Sequence, residues 1–168
     1  MQRRTLLKLG IGAAALLAVA GGGIALLRPG LVDGRMTTAG RSVFHAVGRA
    51  VLDGSLPAQP AARDTALAAL LDRLDETLSG FPTPTQAELS QVLSLLATPA
   101  GRIGLAGLRP DWPQASTAEI QSALQGMRTS ALALKQQVYH ALRDLTNASY
   151  CADPQAWSLM GYPGQRPV

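Results

Sequence analysis

The chain divides by hydropathy into one uninterrupted apolar run, residues 9–27, and a longer part in which apolar residues recur every three to four positions. That spacing places apolar side chains on one face of an α-helix and is typical of helices that pack on a core. Strand-type alternation of Val, Ile and Thr is scarce. We therefore predict an all-α fold, in which a single compact domain of five or six helices follows the N-terminal segment. The clearest stripe comprises Leu67, Leu70, Leu71, Leu74 and Leu78.

Proline and glycine mark the element boundaries in the first half of the chain. We predict a linker over residues 28–38, because Pro29-Gly30 and Gly34 interrupt it. A first helix is expected to begin at Thr38 as N-cap and to end near residue 52. The leucine stripe predicts the second helix over residues 61–78.

Two capping boxes predict helix starts in the second half, one formed by Thr85 and Glu88 and the other by Ser116 and Glu119. Gly126 is expected to interrupt the helix that begins at Ser116. Two further helical segments are expected, a short one over residues 99–108 and the longest over residues 128–150.

Three basic residues, Arg3, Arg4 and Lys8, precede the apolar run, and Leu6 and Leu7 lie between Arg4 and Lys8. A charged region ahead of an apolar one marks an export segment rather than a part of the fold. These five residues resemble the twin-arginine consensus, which implies export of an already folded protein. The alternative is an ordinary membrane anchor whose basic residues match by chance. We therefore separate a twin-arginine signal or membrane anchor, residues 1–30, from a helical domain, residues 31–168.

The sequence leaves the processing of this leader open. Ala18, Val19 and Ala20 form a small-residue cleavage site, but cutting there leaves an apolar stub. Uncut, residues 9–27 approach the roughly 20 residues that a membrane-spanning helix needs. Both readings place the domain in the periplasm, either released or anchored to the cytoplasmic membrane through the uncleaved leader.

The distribution of charge changes the first impression that composition gives. The chain has a formal charge of +4, with 15 basic and 11 acidic residues. Four of the basic residues lie in the leader and no acidic residue does, so the remainder carries 11 of each sign. These charges are interspersed rather than gathered in a basic block. We expect no nucleic-acid partner.

The C-terminal segment contains three of the seven aromatic residues and the single cysteine, Cys151. Asp153 and Pro154 are expected to begin a short helical turn that carries Trp157, and an extended tail is expected to follow. Aromatic residues on a turn-rich segment are typical of interface anchors, although folding back over the core is the alternative for both Trp157 and Tyr162. Cys151 either contributes to a partner interface, with an intersubunit disulfide, or is a buried structural thiol. The residues predicted to form the partner interface are Tyr150, Cys151, Asp153, Pro154, Trp157, Tyr162 and Pro163.

This segment resembles the gluconate 2-dehydrogenase subunit 3 family at Tyr150, Asp153, Pro154, Trp157, Gly161, Tyr162, Pro163 and Gly164. The twin-arginine leader and the helical middle agree with that family. The resemblance implies a non-catalytic small subunit that binds, stabilises and escorts an FAD-dependent sugar or alcohol dehydrogenase. The partner would be a GMC-type flavoprotein large subunit, with a cytochrome c subunit as electron acceptor where one is present.

The residues themselves also favour a chain without a cofactor of its own. Covalent haem attachment needs Cys-x-x-Cys-His, and this chain has one cysteine. A dinucleotide cofactor needs a Gly-rich turn between a strand and a helix, whereas the Gly-rich stretch of this chain lies in the leader. His45 and His140 would need converging carboxylates to hold a metal, and structural roles fit them better. Two alternatives stay open: a membrane-anchored periplasmic helical scaffold or folding factor with another partner, and a small enzyme without a recognisable site.

Overall fold

A computed structural model describes residues 28–159 of the chain. The twin-arginine residues, the apolar run 9–27 and the expected extended tail with Tyr162 and Pro163 lie outside these residues. The described part is mostly helical, with six α-helices and a single two-stranded ribbon, which confirms the predicted fold class. The helices are α1 (Thr38–Val51), α2 (Pro60–Ser79), α3 (Thr83–Ala97), α4 (Thr117–Arg128), α5 (Ala133–Cys151) and α6 (Pro154–Leu159).

One hydrophobic core joins the helices, and α1 lies at its centre, in contact with α2, α3, α4 and α5. The predicted stripe of α2 is confirmed, since all five leucines are buried. A Cβ at Gly48 of α1 would lie 3.0 Å from Leu70 Cδ2, so the absence of a side chain there allows α1 and α2 to pack closely. Within the described residues, no helix is both long and apolar enough to span a bilayer.

The linker predicted over residues 28–38 is wrong, because most of this stretch is an ordered antiparallel ribbon of β1 (Leu31–Val32) and β2 (Arg35–Met36). Asp33 and Gly34 join the strands with positive φ angles of 51° and 75°. This conformation is the one that Asp-Gly favours in a two-residue hairpin loop. Leu31 and Met36 are both buried and attach the ribbon to the core.

Polar contacts hold the ribbon on the helices. Ser90 Oγ of α3 accepts hydrogen bonds from the backbone N–H groups of Gly30 at 3.1 Å and Leu31 at 3.0 Å. The Thr37 N–H donates to the Gly30 carbonyl at 2.9 Å, which closes the base of the ribbon. Thr37 also accepts from the Gly40 N–H, so Thr37, and not Thr38 as predicted, is the N-cap of α1.

The two predicted capping boxes have opposite outcomes. Ser116 Oγ accepts from the Glu119 N–H at 3.3 Å, and a Glu119 carboxylate oxygen accepts from the Ser116 N–H at 2.8 Å, which confirms the box at α4. The box at Thr85 is wrong, because α3 begins two residues earlier, at Thr83, after the N-cap Pro82. Pro84 in the first turn starts the helix there through its fixed φ angle.

The predicted break at Gly126 is also wrong. α4 continues through Gly126 to Arg128, and α5 begins only at Ala133. α5 is therefore 19 residues long and α2, with 20, is the longest described helix. A Cβ at Gly126 would meet nothing within 4 Å, so this glycine is a neutral position on an exposed helix face rather than a boundary.

A wide helical segment separates α3 from α4. One α-helical turn, Pro99–Gly101, leads into a π-helix, Arg102–Ala106, which agrees with the short piece predicted over 99–108. The loop that follows is held by buried Trp112, whose indole N–H donates to the Leu96 carbonyl at 2.8 Å. Buried Arg102 pairs with Asp111 of the same loop. These contacts extend the core to the loop.

Candidate partner interface at the C-terminal junction

The candidate interface lies where α5 ends and α6 begins, which we call the α5–α6 junction (Tyr150 to Trp157). The Ala152 N–H donates to the Ala148 carbonyl at 3.0 Å and continues the bonding pattern of α5. The Asp153 N–H then donates to the Tyr150 carbonyl at 3.1 Å, and Pro154 begins α6 as predicted. Because proline lacks an N–H and has a fixed φ angle, it stops α5 and starts a new helix within two residues.

Arg73 of α2 binds both sides of this junction, the end of α5 and the residue before α6. Its Nε donates to the Ser149 carbonyl at 2.9 Å, and its Nη1 lies 3.0 Å from Asp153 Oδ2. The side chains of Arg73 and Asp153 are each only 23% exposed. A guanidinium that bonds one carbonyl and one carboxylate at this depth orients the junction more firmly than a solvated ion pair would.

Tyr150 connects the junction to the loop between α1 and α2. Its ring is buried, and its hydroxyl donates to the Ser55 carbonyl at 2.7 Å. Burial raises the pKa of Tyr150, the nearby Asp153 and Cys151 raise it further, and Arg73 opposes them. The buried Tyr150 side chain therefore contacts its own chain. Its contribution to a partner surface would be to position the neighbouring residues of the junction.

Cys151 and Trp157 form the outward part of the junction. Cys151 is exposed, so the alternative of a buried structural thiol is wrong. The indole N–H of Trp157 donates to the backbone carbonyl of Cys151 at 2.7 Å, which helps to orient the half-buried Trp157 side chain. Pro154 is exposed on the same segment. The junction thus brings five of the seven predicted interface residues together, and Tyr162 and Pro163 lie outside the described residues.

Arg73 and Ser55 complete the junction, and no local sequence pattern indicates either residue. Arg73 follows Asp72 in a polar stretch of α2 and reads as a solvated residue. Its distance in sequence from Asp153 is 80 positions, and only the packing of α5 against α2 brings the two charges together.

The histidines occupy separate sites. His45 of α1 is half-buried, and burial, followed by the charge of Arg49, lowers its pKa, while Asp64 of α2 opposes both effects. His140 is exposed and meets the Tyr139 ring edge-on, with the centroids 5.1 Å apart. Within residues 28–159, no three His, Cys, Asp or Glu side chains are placed to hold a metal ion.

No protein-family model, curated protein or solved structure matches this chain. The membership of the gluconate 2-dehydrogenase subunit 3 family therefore stays a prediction from the residues that resemble it.

Proposed function

We propose that this chain is a non-catalytic small subunit that binds, stabilises and escorts an FAD-dependent sugar or alcohol dehydrogenase. The observation that carries the proposal is the α5–α6 junction, in which a half-buried Trp157 and an exposed Cys151 lie side by side on an orientated segment. Tryptophan is among the residues that contribute most to binding energy at protein interfaces. The same stretch carries four of the eight residues that resemble the family, namely Tyr150, Asp153, Pro154 and Trp157.

The internal contacts of the junction support a role in binding. Arg73 and Tyr150 tie it to α2 and to the loop after α1 before any partner arrives. A partner then loses less conformational entropy than it would by ordering a flexible segment, and affinity rises accordingly.

The leader supplies the escort part of the proposal. Its resemblance to the twin-arginine consensus implies that the pair is exported after the large subunit has folded around FAD. The flavin would belong to the GMC-type large subunit, a cytochrome c subunit would take its electrons, and the complex would lie in the periplasm. A substitution of Arg3 and Arg4 by lysine should then keep both subunits in the cytoplasm.

Co-purification from the membrane fraction tests the proposal. Tagged full-length chain should bring down a large subunit with a flavin absorbance spectrum, and Trp157→Ala should reduce the recovered flavin. Trp157→Phe, which keeps a ring, should restore part of it. The matched control is Leu132→Ala, because Leu132 is 61% exposed but lies before α5, at its other end.

Other outcomes would contradict the proposal. Recovery of a companion without flavin would favour the membrane-anchored scaffold or folding factor. A monomer without any companion, under conditions that preserve complexes, would exclude the accessory role altogether.

Cys151 offers a second readout of the same interface. If the junction contacts the large subunit, Cys151 reacts with a thiol reagent in the isolated chain and is protected in the complex. An intersubunit disulfide would give a band at the summed mass on a non-reducing gel, and Cys151→Ser would remove it. Equal reactivity in the isolated chain and in the complex would place the interface elsewhere.

A further inference from the structure

The ribbon at the start of the domain has one face buried and one face open. Val32 and Arg35 are cross-strand partners, as are Leu31 and Met36. Successive side chains of a strand point to opposite faces. Because Leu31 and Met36 are buried against the helices, Val32 and Arg35 point away from them, and both are exposed. Val32 has 51% of its surface exposed, one of three large hydrophobic residues so exposed in the described chain.

The orientation of this outer face is fixed relative to the helices. Ser90 and Asp75 bond the backbone of the ribbon from α3 and α2, respectively. The Thr37 hydroxyl donates to the Pro29 carbonyl at 3.1 Å, so Pro29 is bonded to the start of α1. Between the end of the apolar run at residue 27 and this first bonded residue lie only two residue steps.

Two residue steps give the chain little reach. Fully extended, they span about 7 Å. The headgroup layer on each side of a bilayer is itself about 5–8 Å thick. If the apolar run stays in the membrane, Pro29 therefore lies within the headgroup layer or directly above it. The ribbon begins two residues after Pro29, at Leu31, and its hydrogen bonds to Ser90 and Asp75 attach it to the helices.

We propose that the outer face of the ribbon rests on the phospholipid headgroup layer, with Val32 against the lipid and Arg28 and Arg35 on lipid phosphates. The inference rests on the alternative in which the leader is retained as a membrane anchor. Guanidinium groups bind phosphate oxygens through paired hydrogen bonds, and both arginines are exposed. Asp33, at the tip of the ribbon, is the acidic residue of the same hairpin. Arg41 does not contribute, because Asp72 and Asp75 already neutralise it.

An environment-sensitive label on the full-length chain tests this contact. The chain has one cysteine, so a Cys151→Ser background allows a single NBD label at Val32→Cys or, as the matched control, at Leu132→Cys. Reconstituted in phosphatidylglycerol–phosphatidylethanolamine vesicles, the label at position 32 should shift to the blue and be shielded from an aqueous quencher. The label at position 132 should remain accessible. Equal quenching of the two labels would overturn the proposal.

Charge variants test the arginines separately. Arg28→Gln and Arg35→Gln should each shift the equilibrium between shielded and accessible label by about fivefold, since a basic residue contributes about 1 kcal/mol near an anionic surface. Arg109→Gln, at an exposed arginine outside the ribbon, should leave the shielding unchanged. Shielding that is unaffected by both ribbon substitutions would overturn the phosphate contact.

Two other results would assign the face differently. Shielding of position 32 that appears only when the flavoprotein is added would make this face part of the subunit interface and overturn the lipid contact. A chain isolated from cells without residues 1–27 would overturn it as well. The vesicles contain no flavoprotein, so failure of the label experiment leaves the accessory-subunit proposal intact.

Discussion

The carboxylate of Asp75 accepts a hydrogen bond from the backbone N–H of Met36 at 2.7 Å, and the two residues are 5% and 6% exposed. Asp75 Oδ2 also pairs with Arg41 of α1. One buried side chain of α2 therefore satisfies an otherwise unpaired N–H of the ribbon and compensates a half-buried guanidinium.

Asp75→Ala should lower the free energy of unfolding by about 3 kcal/mol, because it leaves the buried Met36 N–H without an acceptor and removes the buried one of the two carboxylates that pair with Arg41. Asp72→Ala is the control, since Asp72 contacts the same arginine with a side chain that is 69% exposed. An exposed pair of this kind contributes about 0.5 kcal/mol. Urea denaturation measures both, and equal midpoints for the two variants would refute the role assigned to Asp75.

The two sequences that look like capping boxes should respond differently to alanine. Ser116→Ala removes the acceptor of the Glu119 N–H at the start of α4 and should cost about 1 kcal/mol. Thr85→Ala lies inside α3, where alanine is the better helix former, and should cost little or be neutral. Thermal denaturation of both variants decides this, and a large loss at Thr85 would mean that α3 begins later than residue 83.

Helical periodicity was readable from the chain because a core-facing stripe repeats in every turn, as in the leucines of α2. The ribbon was not, because two-residue strands have no period, and only Asp33-Gly34 could have indicated a hairpin. The burial of Asp75, Trp112 and Tyr150 depends on distant acceptors and donors, so local patterns carry no sign of it.

The candidate interface also has a part that local sequence predicts and a part that it does not. Pro154 and its neighbours predicted the turn of α6 from local chemistry. The contacts that orient the junction come from Arg73 and Ser55, on elements that are far away in sequence.

Gly126→Ala should stabilise the protein by about 0.5 kcal/mol, because the position is helical, exposed and free of nearby atoms. Gly101→Ala is the contrasting variant. Its Cβ would lie 2.0 Å from the Leu95 carbonyl oxygen, so the backbone between α3 and the π-helix would have to move. Differential scanning calorimetry should show a higher melting temperature for the first and a much lower one for the second. A lower temperature for Gly126→Ala would indicate that the glycine does interrupt α4.

The stability of the fold should fall as the pH decreases below about 6.5, and His45 should be responsible for part of the fall. Burial, then Arg49, lowers the pKa of His45 from its ordinary 6.5. The unfolded chain therefore binds the proton more readily, and stability is lost as the pH falls from 6.5 through the lower pKa of the folded state. His45→Gln should flatten this slope between about pH 5 and pH 6.5, and below about pH 5 the carboxylates begin to bind protons as well.

His140→Gln is the control for the histidine prediction, since His140 is exposed. Asp64→Asn should steepen the slope, because it removes the charge that raises the pKa of His45. Urea midpoints measured between pH 5 and pH 8 would show these differences at roughly constant carboxylate charge. A slope that His45→Gln leaves unchanged would exclude this linkage.

Arg73 and Asp153 should be coupled by about 1 kcal/mol in a double-mutant cycle, because both side chains are mostly buried and their distance is 3.0 Å. The exposed pair Arg143–Asp144, at 3.1 Å, is the control, and its cycle should be close to zero. Loss of the Arg73–Asp153 contact frees the start of α6 from α2, so the Ala156 amide should exchange faster with deuterium. In the co-purification experiment, Arg73→Ala should then reduce the recovered flavin, even though the Arg73 side chain is mostly buried. Undiminished recovery with faster exchange would show that binding does not need an orientated junction.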